Sequence, residues 1–220
     1  MNSKIFKTKI VVSIFSLFIT ISSLKAQNIQ SLLSEVSNKV KSYENIQIDF
    51  KYSLENTREN VKQDTRANIT LKGDNYVLNM LGVTRIFDGK TIYTIVPEDE
   101  EVTISDYSKE EDKSISVSEM LTFYENGYNY KMDIQQNIRG RKIQFIKLSP
   151  IDSNTEIKNI LLGIDMQTKH IYKLIQIDSS GTSYTITVNS FKTNQPISQN
   201  LFIFDEEKYT KQGYYINKLE

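Results

Sequence analysis

Between residues 46 and 54 the chain reads Ile-Gln-Ile-Asp-Phe-Lys-Tyr-Ser-Leu, with an apolar residue at every second position. Successive side chains of a strand point to opposite faces, so this pattern gives one dry face and one wet face. The same alternation returns at Ala67, Ile69 and Leu71, and again at Tyr76, Leu78 and Met80. Lys72-Gly73-Asp74-Asn75 separates the two with turn chemistry. Further strands are predicted at 84–88, 91–96, 101–105, 129–136, 142–148, 157–166, 170–178, 183–192 and 201–204, rich in β-branched and aromatic residues. Asp88-Gly89, Arg139-Gly140, Pro150-Ile151-Asp152 and Ser180-Gly181 punctuate them. The three prolines, Pro97, Pro150 and Pro196, fall at strand ends, where a missing N–H does least harm.

Two segments break the period of two. In residues 28–43 the apolar positions Ile29, Leu32, Leu33, Val36 and Val40 form one helical stripe. In residues 106–128 a charged stretch precedes Ser116-Val117-Ser118-Glu119, which has the form of a capping box. Val117, Met120, Leu121 and Tyr124 then share a helical face, and Gly127 supplies a stop. The expected order is helix, about six strands, short helix, about six strands, in one domain. Every one-sided strand must have its dry face covered, and a sheet of ten to twelve strands curls strongly. Two short helices cannot cover that much concave surface. Either the sheet closes into a packed barrel, or an apolar cavity remains. Long or adjustable inward residues such as Phe50, Tyr52, Tyr76, Met80, Met120 and Tyr124 favour the cavity.

The first 26 residues predict a cleaved secretory signal peptide: Lys4, Lys7 and Lys9, an uncharged apolar run from Ile10 to Leu24, and Ala26 at the cut. Residues 27–220 would then form the exported domain, large enough to bury a core of its own. Of the 27 basic residues, Lys4, Lys7, Lys9 and Lys25 precede the cut and no acid does, so the remainder carries 23 basic and 27 acidic residues. That mildly acidic balance does not suggest nucleic acid or an anionic lipid surface as partner. With no cysteine there is no disulfide, no thiol chemistry and no lipidation site on the chain itself.

Catalytic constellations do not assemble. The single histidine, His170, has no G-x-S-x-G elbow or second histidine to work with and is predicted at the surface beside a turn. The acidic runs Glu98–Glu101 and Glu110–Asp112 sit among other charges, in solvated turns. The residues imply no enzyme, no metal and no cofactor. Arg139-Gly140-Arg141-Lys142 is a basic hairpin turn, solvated or a docking point for an acidic partner.

The ordered set of segments resembles the periplasmic outer-membrane lipoprotein carriers, the LolA-like family. Arg85-Ile86-Phe87-Asp88-Gly89-Lys90-Thr91-Ile92-Tyr93-Thr94-Ile95-Val96-Pro97 is similar to that family's central strands, with Tyr93 where it often has Trp. Asn45–Asn56 is similar to its first strand, Phe145–Pro150 to a strand ending in Leu-x-Pro, and Asn200–Phe204 to its last strand. The resemblance implies an incomplete, strongly curved antiparallel barrel whose concave side is lidded by helices. It also implies a periplasmic monomer that takes acylated lipoproteins from an inner-membrane ATP-binding-cassette extractor to an outer-membrane acceptor. The family's release arginine, between its second and third strands, has no counterpart in Leu71-Lys72-Gly73-Asp74-Asn75. Candidate cavity residues are Phe50, Tyr52, Ile69, Leu71, Tyr76, Leu78, Met80, Ile92, Tyr93, Ile95, Met120, Leu121 and Tyr124, with Val117–Tyr124 as a lid. For Ile92, Tyr93 and Ile95 the sequence leaves open which face looks inward. A lipid- or glycolipid-binding module, or a lipoprotein sensor of the same fold, is the alternative.

Overall fold

A computed structural model describes residues 28–107 and 121–219. The predicted signal peptide, the charged stretch 109–113, the predicted capping box and Met120 lie outside the described residues. Helix α1 (28–41) precedes a single twelve-stranded sheet. The strands are β1 (Ile46–Asn56), β2 (Val61–Lys72), β3 (Asn75–Met80), β4 (Val83–Phe87), β5 (Thr91–Val96), β6 (Glu101–Asp106), β7 (Tyr128–Ile138), β8 (Arg141–Pro150), β9 (Ile157–Asp165), β10 (Ile171–Asp178), β11 (Ser183–Thr193) and β12 (Tyr215–Lys218). Their order across the sheet is β12-β6-β5-β4-β3-β2-β1-β11-β10-β9-β8-β7. The chain therefore starts in the middle, meanders to one edge, crosses to the other edge and meanders back until β11 pairs with β1. The two edges do not join, so the sheet is an open, curled half-barrel.

Hairpin turns follow local chemistry. Between β3 and β4 the two-residue turn Leu81-Gly82 has φ values of 54° and 80°. Between β7 and β8 Arg139-Gly140 has 51° and 80°. Left-handed values at both positions give the twist that suits a tight hairpin. Between β4 and β5, Asp88 accepts from the backbone N–H groups of Lys90 (2.9 Å) and Thr91 (2.8 Å).

The two faces are filled unequally. On the concave side α1 lays Ile29, Leu32, Leu33 and Val36 on Ile146, Leu148, Ile160, Leu162 and Ile164 of β8 and β9. A short 3-10 turn, Phe123–Glu125, adds the buried Tyr124. Glu125 anchors the helix: it accepts from the Ser37 hydroxyl and pairs with Lys41 at 2.9 Å. Those two partners hold its carboxyl below the usual range.

On the outer face, Val77, Ile86, Ile95 and Val102 are covered by the C-terminal segment. This corrects the expected strand at 201–204. Residues 199–202 form turns instead, with Leu201 N–H donating to the Ser198 carbonyl. Phe202 is buried on the back of the sheet and Phe204 stacks on Tyr93 at 4.6 Å. The alternating Phe-x-Phe serves as a plug because the outer face there is itself apolar and needs cover. Helix α2 (Glu206–Lys211) follows, capped by Asp205 accepting from Lys208 N–H at 3.0 Å. β12 then pairs parallel to β6, the one parallel ladder in the sheet.

Candidate functional site: an apolar cavity over the sheet seam

Beyond the end of α1 the concave side of β1 to β4, β10 and β11 encloses a cavity of about 330 Å³. Ligand pockets commonly run from about 300 to 1,000 Å³. Alternation explains most of the wall. Ile48, Phe50 and Tyr52 of β1 face inward, level with Ile69 and Leu71 of β2, then Tyr76, Leu78 and Met80 of β3. Arg85 and Phe87 of β4 continue the row, because Leu78 pairs with Arg85 and Tyr76 with Phe87. Across the seam, Asp49 pairs with Ser190 but Phe50 with Val188, so Asn189 is an extra residue in β11. That bulge puts Val188 and Phe191, three positions apart, on the same face. Ile171 and Leu174 of β10 and Ile186 of β11 complete that side.

Eight of the thirteen candidate residues stand on this wall: Phe50, Tyr52, Ile69, Leu71, Tyr76, Leu78, Met80 and Leu121. Ile92 belongs to the same cluster but is packed beneath it, 1% exposed. Tyr93 and Ile95 lie on the outer face against the C-terminal segment, since β5 turns alternate residues away from Ile92. Tyr124 is buried in the core under α1. Of the Val117–Tyr124 helix, only residues 121–124 are described, and they end in a 3-10 turn. Leu71 and Leu121 also border a second recess of about 320 Å³, which Lys41, Glu44 and Asp74 make more polar.

Sequence reasoning missed Ile48, Arg85, Phe87, Tyr107 and the β10–β11 side. Arg85 and Phe87 were in reach, since their register follows from Tyr76 and Leu78. The bulge hid Val188 and Phe191 by breaking the period. Arg85 is the only charged side chain on the wall among the described residues. Tyr107 meets Phe87 in a tilted ring contact at 5.1 Å, and Phe87 meets Tyr76 in another at 5.6 Å. Burial pushes the Tyr52 phenol up, with a further push from Tyr184.

His170 is not the surface residue expected from its turn. It is half-buried in a small recess next to the cavity, stacked on the wall residue Phe191 at 4.0 Å and hydrogen-bonded to the Tyr43 hydroxyl at 2.8 Å. The pair ties the residue beyond α1 to the cavity wall. Burial lowers the His170 pKa, helped by the nearby charge of Lys39. At the basic hairpin, Arg141 lies 3.4 Å from the buried Asp165 and over the Tyr172 ring.

No helix among the described residues is long and apolar enough to cross a membrane. No curated protein sequence matches the chain. An uncharacterised conserved protein from Thermus thermophilus shares the fold, with a TM-score of 0.57, 8% identity, 85% of this chain covered and 97% of the other. LprF from Mycobacterium bovis aligns with a TM-score of 0.48 at 13% identity over 79% and 96% of the two chains. A LolA superfamily protein from Nitrosomonas europaea gives 0.43 at 13% over 82% and 98%. The model of the outer membrane lipoprotein carrier protein LolA matches residues 82–205, from the β3–β4 turn to the Asp205 cap of α2. With more than half of its length matched, the chain belongs to the LolA family of outer-membrane lipoprotein carriers.

Proposed function

We propose that the chain is an exported periplasmic carrier: residues 1–26 are removed as a signal peptide, and residues 27–220 hold the acyl chains of lipoproteins and shuttle them from the inner to the outer membrane. The observation that carries this reading is the half of the concave face that the described residues leave uncovered, an apolar wall around about 330 Å³ in a fold whose other half is tightly packed. Burying a methylene is worth about 0.8 kcal/mol, so one sixteen-carbon chain contributes on the order of 12 kcal/mol gross. The wall residues Phe50, Leu78 and Val188, half-buried without a ligand, are the surface such a chain would cover.

Release needs a competing closed state, because a ligand shifts a conformational equilibrium only by its differential affinity. Leu121 stands where such competition would act, between the cavity and the adjoining recess. The partners are acylated lipoproteins, an inner-membrane ATP-binding-cassette extractor and an outer-membrane acceptor. The protein purified from its own envelope is expected to carry acylated peptides, read by mass spectrometry. Free phospholipid or glycolipid in their place would replace lipoprotein by a lipid cargo, and an empty cavity would refute the carrier. Unchanged cargo binding by Leu121→Glu would remove Leu121 from the release role.

A further inference from the structure

The cavity wall has a step. β2 pairs with β1 along its whole length, from Val61 opposite Asn56 to Leu71 opposite Ile46. β3 pairs only with Ala67 to Lys72. Among the described residues, Val61 to Arg66 therefore have no strand on their outer side, and six residues of edge lie open beside the mouth of the cavity. At about 3.4 Å per residue the opening is roughly 20 Å long. Met80, where β3 stops, lines the cavity.

The residue that closes the base of the step is unusual. Leu81 takes the first position of the β3–β4 turn at φ 54° and is 57% exposed. A bulky side chain in left-handed backbone is disfavoured, and exposure gains it nothing in folding. The β7–β8 turn has nearly the same backbone but fills that position with Arg139. At the far end of the step Val61 is 44% exposed. Between them Gln63 and Thr65 alternate onto the concave side with Ala67, while Lys62, Asp64 and Arg66 point away. The open edge thus presents backbone donors and acceptors with an uncharged inner flank, apolar at each end.

We propose that this edge takes the first residues of the acylated polypeptide as an added antiparallel strand; the inference rests on the carrier reading above. Chain direction supports it. A polypeptide acylated at its first residue starts at the cavity mouth, near Met80 and Leu81, and must run outward. β2 runs inward from Val61 to Lys72, so the two chains meet antiparallel, the arrangement in which an extended peptide extends a sheet. A bilayer fits the step less well. Leu81 is set back by the length of the opening from the β1–β2 turn, where exposed Arg58 and Glu59 would reach a flat surface first.

The test uses the full domain and four probes: dipalmitoylglyceryl-cysteine alone, the same lipid on a ten-residue peptide, and two forms of that lipopeptide N-methylated at one or the other alternating set of residues. The peptide is expected to tighten binding over the lipid alone on the order of tenfold, from a few net backbone hydrogen bonds. It should also slow amide hydrogen exchange within residues 61–66, and one methylated set should lose both effects. Equal affinity for all probes with exchange at 61–66 unchanged would overturn the added strand while leaving the carrier intact. Failure of the lipidated cysteine itself to bind would remove the carrier reading and this inference with it. Binding to phosphatidylethanolamine vesicles that Leu81→Asp abolishes, without any peptide effect, would assign the step to a bilayer instead.

Discussion

The two halves of the concave face are built from the same kind of strand and reach opposite ends. Under α1, Val36, Ile146, Leu148, Leu162 and Ile164 are all 0% exposed. Across the seam, Phe50, Leu78 and Val188 occupy equivalent inward positions and are only half-buried. What separates the halves is cover, and geometry decides where the cover goes. A helix of fourteen residues is about 21 Å long and roughly 10 Å wide, while strands lie about 4.8 Å apart. One such helix covers a few strands, and among the described residues the rest of the curled concave face stays open. An apolar strand position is therefore a statement about which face is dry in the assembled state, with or without a ligand.

Truncation should separate the halves most sharply. Leu162→Ala, in the packed half, is expected to destabilise by about 2–5 kcal/mol, because transfer and cavity costs add. Leu78→Ala, in the open half, should cost under about 1.5 kcal/mol, since its surroundings already leave it partly wet. Urea unfolding of both variants compares them, and equal losses would break the distinction. The same two positions read for acyl binding should invert, with Leu78→Asp losing affinity at least tenfold and Leu162→Ala keeping it where the fold survives.

Tyr124 sharpens the comparison from the packed side. Its hydroxyl is buried without a hydrogen-bond partner among the described residues, and burial raises the phenol's pKa. Tyr124→Phe removes an unsatisfied group and should stabilise by about 1 kcal/mol in the same urea assay. A loss of stability would mean that the hydroxyl is satisfied. At the anchor of α1, Glu125→Ala leaves the buried Ser37 without its acceptor and should cost about 1 kcal/mol. The loss should appear as faster amide exchange along α1 and not along β1–β4.

The smallest effect is one of pH. The folded-state pKa of His170 is depressed below its ordinary 6.5, so the unfolded chain binds the proton more readily. His170 thus adds stability above about pH 6.5 that is lost as pH falls through the lower folded value. His170→Gln should flatten that part of the stability-versus-pH curve. An unchanged slope between pH 7 and pH 5 would place the titration elsewhere.

Much of this was legible from residue order. Residue pattern located eleven of the twelve strands, all but β12, by alternation in β1–β3 and by β-branched and aromatic runs elsewhere, and the Ile29–Val40 stripe located α1. It also pointed inward at Phe50, Ile69, Leu78 and Met80, because register and face follow together from the pleat. Three things were not legible. The bulge at Asn189 is a local irregularity with no signature in alternation. Phe202 and Phe204 alternate like a strand but are consumed by packing on the outer face, which depends on where the C-terminal segment returns. The face of Tyr93 was ambiguous because β5 is apolar on both sides, with Ile92 in one core and Ile95 in another. Two-sided burial erases the periodicity that distinguishes the faces.

The strand order has a bearing on how the molecule comes into being. The strands β1–β6 and β7–β11 form two arms, each a run of neighbouring hairpins that can form from local contacts, but the β1–β11 seam, like the β6–β12 pair, joins distant parts of the chain. Asn45 marks one end of that seam, bridging to Gln195, 150 positions away, through both its amide oxygen and its amide nitrogen. Such a closure is entropically slow and comes late relative to local pairing. The cavity straddles it, taking its wall from β1–β4 on one side and β10–β11 on the other. Neither arm alone builds the cavity, so the chain acquires it only when this long-range seam closes.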